Sequence, residues 1–184
     1  MRLTLPLALL LTVAGDLAGQ VVTGFASVPW GSEMPAINLE WGNPKQVLQK
    51  SGASISIYHV TVEGEQVLMT FVVSDRYGLV KGGYTRPYDK KSEAKRALEK
   101  FERALQEKYP SLPQYRCSEG EEPCARMLSE EFQEAVIWED LGNAIIYCIR
   151  HEIEFKGNKY PEMVCHFESE LWSLHRDDQE ERHF

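Results

Sequence analysis

Histidines, paired carboxylates and cysteines are the side chains in this sequence that could do chemistry. His151 and His166 fall on neighbouring stretches that read as strands, and His59 falls in an earlier hairpin. A histidine beside a carboxylate can act as a general base or hold a metal. The strand register that best buries apolar side chains sets His151 and His166 on opposite faces, so they cannot share a metal. A different register would bring them together with Glu168 nearby. Glu130/Glu131 and Glu139/Asp140 are adjacent pairs, but they lie in a general acidic run and read as a solvated face. The chain has no nucleophile elbow, phosphate loop, dinucleotide fingerprint or His-Glu-x-x-His. The sequence therefore assigns no catalytic residue, no metal ligand and no cofactor.

The cysteines are Cys117, Cys124, Cys148 and Cys165. An even number in an exported chain favours disulfides. Cys117 and Cys124 bracket Ser-Glu-Gly-Glu-Glu-Pro, a loop short enough to close at low entropy, and form the candidate bridge. Their spacing is not that of a zinc knuckle. All connectivities stay open at this level.

The compartment follows from the N-terminus. Met1-Arg2 is positive, and residues 3–15 (LTLPLALLLTVAG) form an apolar run. That run is too short to cross a bilayer core of about 30 Å. Residues 1–19 read as a signal peptide, cut after Gly15 or after Gly19. Leu17-Ala18-Gly19 resembles a lipoprotein box, but Gln20 stands where the lipidated cysteine would be. The expectation is a periplasmic or secreted protein with no stable membrane anchor. The formal net charge of −8 and pI near 5.2 argue against nucleic acid as a partner.

The elements that must position these residues follow from periodicity. Residues 20–40 read as an extended lead-in, 41–173 as a single α+β domain and 174–184 as a charged, frayed tail. Asn43-Pro44 suits a helix start, with Val47 and Leu48 on its buried side. Residues 54–74 form a hairpin around Glu63-Gly64, with Tyr58 opposite Met69 and Ser56 opposite Phe71. Residues 79–84 make a third strand. Residues 92–109 are the clearest helix, capped by Ser92, with Ala94, Ala97, Leu98, Phe101, Leu105 and Tyr109 on one stripe. A short helical turn is expected within 129–133. A second meander runs through 135–140 and 144–155; a Gly142-Asn143 turn would set Trp138 opposite Tyr147, with Ile145, Tyr147 and Ile149 on the core side. In the last hairpin, the apolar set Met163, Cys165, Phe167 and Leu171 calls for an odd loop or bulge near 156–159, which keeps Cys148 and Cys165 from bridging.

The fold class is α+β: two αβββ-type units, antiparallel meanders and one long amphipathic helix packed on the sheet. With Trp41-Gly42 and Val47, the helix 94–109 and the Trp138 strand, the chain resembles a broad set of bacterial exported proteins with a Trp-Gly-x-x-x-x-Val helix start. Trp30-Gly31-Ser32 is an alternative anchor. The αβββ layout is also similar to β-lactamase inhibitor proteins and small outer-membrane assembly lipoproteins. That resemblance implies a non-catalytic binding surface.

Basic residues cluster in and before the long helix (Arg86, Lys90, Lys91, Lys95, Arg96), and acidic residues follow it (Glu119, Glu121, Glu122, Glu130, Glu131). Trp41, Tyr84, Tyr88 and Trp172 sit near element edges and make the candidate binding surface. The leading expectation is an exported, non-enzymatic binding or envelope-assembly module whose partner is an exported or envelope protein. The alternatives are a small periplasmic hydrolase or ligand-binding protein with a His/carboxylate cleft, and a purely structural envelope protein.

Overall fold

The computed structural model describes residues 21–181, apart from 51, 63, 123, 129, 130 and 141–143. Residues 1–19, the Gly142-Asn143 turn and part of the 129–133 turn lie outside the described residues.

The described residues begin with a two-stranded ribbon, β1 (Gly24–Phe25) and β2 (Val28–Pro29), followed by α1 (Met34–Trp41). Then come β3 (Gln46–Lys50), β4 (Ala53–Val62), β5 (Glu65–Ser74) and β6 (Gly78–Pro87). The long helix α2 (Lys91–Lys108) leads to β7 (Gln114–Ser118), the short α3 (Cys124–Met127), β8 (Glu134–Asp140), β9 (Ala144–Phe155) and β10 (Asn158–Ser169). Helix α4 (Glu170–Glu181) closes the order. One antiparallel eight-stranded sheet runs β3-β4-β5-β6-β10-β9-β8-β7. The protein is thus mixed α/β and mostly β.

Several expectations are corrected. The lead-in 20–40 is not extended: it carries the ribbon and α1, and Phe25 and Ile37 are core residues. The helix begins after Trp30-Gly31-Ser32, with Pro35 in its first turn, where a missing N–H costs nothing. Residues 46–50 are instead an edge strand, exposed throughout, because they pair with β4. Each of α1 and α2 is therefore followed by four strands rather than three. Lys90, not Ser92, is the N-cap of α2. Residues 174–184 are not a frayed tail as far as they are described. The α4 helix buries His175 against Ser74 Oγ (3.1 Å) and sets Asp178 on Arg76 (2.8 Å) and Tyr77 (2.9 Å).

The hairpin of β4 and β5 has the expected register, Tyr58 opposite Met69 and Ser56 opposite Phe71. The second meander does not. Asp140 pairs with Ala144, so Trp138 stands opposite Ile146, not Tyr147. In the last hairpin Phe155 pairs with Asn158 across a two-residue turn. Lys156 and Gly157 both have positive φ, 52° and 76°, the type I′ geometry whose twist matches the strands. No odd loop is needed, and Cys148 falls directly opposite Cys165.

The reason lies in burial on both sides. On the helix face, α2 covers Val136, Trp138, Ile146, Cys148, Met163, Cys165 and Phe167. On the opposite face, the segment held by Cys117 and Cys124, with Leu128 and Phe132, covers Ala135, Ile137, Tyr147, Ile149 and Val164. An assumption of one core face made the parity of β10 look wrong. Ribbon residue Phe25 packs at 5.0–5.2 Å between the rings of Phe71, Tyr84 and Phe167. Gly82 makes room for it, since a Cβ there would overlap the Phe25 ring.

Candidate binding cleft at the free end of β9

Strand β9 has twelve residues and β8 has seven, so the last turn of β9 outruns its neighbour. Among the described residues, the last backbone hydrogen bond on that side is Gln133 N–H donating to Arg150 C=O at 2.7 Å. In an antiparallel strand, alternate residues point their N–H and C=O to the same side. Arg150 points toward β8, so Glu152 and Glu154 do too, and among the described residues no strand pairs with them there. Beside this free edge lies a cleft of about 540 Å³ lined by Glu119, Glu131, Phe132, Gln133, His151 to Glu154 and Lys159.

The cleft is acidic at its rim. Lys91 Nζ reaches Glu152 Oε1 at 2.8 Å, and its hydrogen bond holds the Glu152 carboxyl below the usual range. His151 Nε2 meets Glu162 Oε2 at 2.7 Å across the β9–β10 pair. Phe155, at the end of β9, is 60% exposed under the Lys156 ammonium. On the α2 side of β8, Arg116 bonds both Glu102 on α2 and Glu134 on β8. Burial alone would raise the Glu134 carboxyl, but Arg116 and Arg150 outweigh it and hold it low.

A second polar cluster lies further along the same face. Glu168 Oε1 accepts from Lys81 Nζ at 2.7 Å and from Tyr147 OH at 2.9 Å. The Lys81 ammonium also sits over the Trp172 ring at 5.2 Å. His166 lies against Tyr147, ring centroids 5.0 Å apart. Burial, and then the charge of Lys81, push the His166 imidazole down to about 3. His151 and His166 therefore share a face, contrary to the register expected from sequence, but the carboxylate of the first cluster belongs to His151 and the depressed pKa to His166.

The structure disperses the aromatic surface expected from sequence. Tyr84 is in the core between Phe25 and Phe101, and Tyr88 is buried under Arg86. Trp41 turns inward and donates to Ala26 C=O at 2.9 Å. Trp172 stacks on His175 from α4, on the opposite side of the sheet. Edge positions in sequence became core positions because α1, α2 and the ribbon close over them. Cys117 and Cys124 are bonded as expected, and Cys148 and Cys165 form a second bridge that the sequence reading had excluded. Among the described residues no group of His, Cys, Asp or Glu could hold a metal, and no helix is long and apolar enough to cross a membrane.

The free edge was legible in outline: a strand over 135–140 and one over 144–155 already differ in length. What sequence could not reveal is that the chain before β8 turns away at Gln133 and leaves a cleft.

Comparisons of the chain with protein-family models, with curated protein sequences and with solved structures find no match. The functional reading rests on the chain's own geometry.

Proposed function

We propose that this protein is an exported binding module, working in the periplasm or outside the cell, that captures an extended segment of a partner protein by strand addition at the free end of β9. One observation carries the reading: the outward N–H and C=O groups of Glu152 and Glu154 open onto a cleft of about 540 Å³. An unpaired edge gives backbone affinity, and alternate side-chain positions give specificity. The glutamates of the rim favour a segment bearing Lys or Arg, and Ile153 in the lining favours an apolar residue beside it. Two disulfides support an oxidising compartment. The order helix then four strands, met twice along the chain, supports two units of one architecture joined through β6 and β10.

A non-enzymatic role is the simpler reading of this cleft. Its described lining has no serine, threonine or tyrosine, and every cysteine is in a disulfide. The His151–Glu162 pair favours the hydrolase reading to a lesser degree, because a histidine held by a carboxylate can activate water.

The test is a displayed library of linear peptides panned against the wild-type protein and against Glu154→Pro. Proline there removes the outward N–H and leaves the β9–β10 ladder intact, a position where edge strands tolerate it. Enriched peptides should alternate basic and apolar residues, weaken as salt rises, and lose binding to Glu154→Pro at unchanged melting temperature. Peptides that bind both proteins alike, or no enrichment over an unrelated protein, would overturn the reading.

A further inference from the structure

At the far end of the sheet, among the described residues, β3 pairs only with β4. Proteins protect such edges with charges, prolines, bulges or a covering element. Here the strand reads Gln-Val-Leu-Gln-Lys, and all five residues are exposed. Val47 is 46% exposed on one face and Leu48 39% on the other. Leu39, 90% exposed, projects from α1, which is tied to β4 by Tyr58 OH donating to Asn38 Oδ1 (3.2 Å). Three exposed apolar side chains thus fall within ten residues of chain, and Lys50 is the single charge on the edge strand.

We infer that β3 pairs antiparallel with β3 of a second copy about a two-fold axis through Leu48. The sequence of the strand is self-complementary in that register. Leu48 meets Leu48 of the other copy, Val47 meets Gln49, and Gln46 meets Lys50, so no like charges face each other across the axis. Leu48 is also next to the half-buried Ile55 on its own sheet, so the pairing joins two apolar strips. A closed two-fold pairing uses up both edges and stops there. Five residues a side fall well short of the roughly 20–30 of a standard interface, so the dimer dissociates in the micromolar range or above.

Sedimentation equilibrium from about 1 μM to about 500 μM, a range set by that interface size, should show a monomer–dimer equilibrium. Leu48→Lys places two ammonium groups on the axis and should shift dissociation at least tenfold upward with an unchanged melting temperature. Leu48→Cys should form a covalent dimer under mild oxidation, and Val47→Cys, whose partner is Gln49, should not. Glu154→Pro should dimerise like wild type, which separates this surface from the cleft. A protein monomeric at every concentration, or cross-linking equally at positions 47 and 48, would refute the pairing.

Discussion

Cys148 and Cys165 face each other on β9 and β10, Cα atoms 4.0 Å apart and sulfurs bonded beneath α2, with both residues fully buried. The second disulfide, Cys117–Cys124, ties the outermost strand β7 to the short α3. Local opening of an edge costs less than opening the sheet centre. Reductant under native conditions should therefore open Cys117–Cys124 first, and Cys148–Cys165 only with global unfolding. Thiol trapping followed by mass analysis reads the order; simultaneous loss of both would contradict it.

His166 makes stability depend on pH. Its folded pKa, about 3, lies below the ordinary value near 6.5, so the unfolded chain binds the extra proton first. The contribution is intact above pH 6.5 and is lost as pH falls toward 3, at about 1.4 kcal/mol per pH unit. Urea melts between pH 7 and pH 4 should show that slope. His166→Gln should flatten it, leaving only the acid loss that carboxylates such as Glu134 contribute at lower pH.

Lys81 acts on both neighbours. Lys81→Met leaves Glu168 with Tyr147 as its remaining donor here, costing roughly 3 kcal/mol, the lower end for a buried pair that loses one partner. Adding Glu168→Gln should recover most of that loss. Removing the Lys81 charge also raises the His166 pKa and narrows the acid-sensitive window. An NMR titration of His166 checks the shift.

Gly82 and Phe25 should be strongly coupled. Gly82→Ala forces the ring out of its notch, at about 1–3 kcal/mol. Phe25→Ala empties the space between Phe71, Tyr84 and Phe167, at about 3–5 kcal/mol. The double variant should lose less than the sum, because the new methyl fills part of the vacated volume. Additive losses would mean that the notch is not shared.

The sequence by itself determined the pieces whose information is local. The apolar stripe of α2 follows from 3.6-residue spacing, and the β4–β5 register follows from a short turn together with one apolar face. The near-sequence bridge Cys117–Cys124 needed only a short loop. Tertiary structure decided what depends on the number of covered faces. With α2 on one side of β8–β10 and the Cys117–Cys124 segment on the other, both parities of β10 are apolar or paired, and the parity argument against Cys148–Cys165 loses its force. Tertiary packing also buried Tyr84 and Tyr88, paired residues 46–50 with β4 as an edge strand, and left a cleft where β8 stops short of β9. None of these can be read from a strand alone, because a side chain's environment is set by what packs against it from distant parts of the chain.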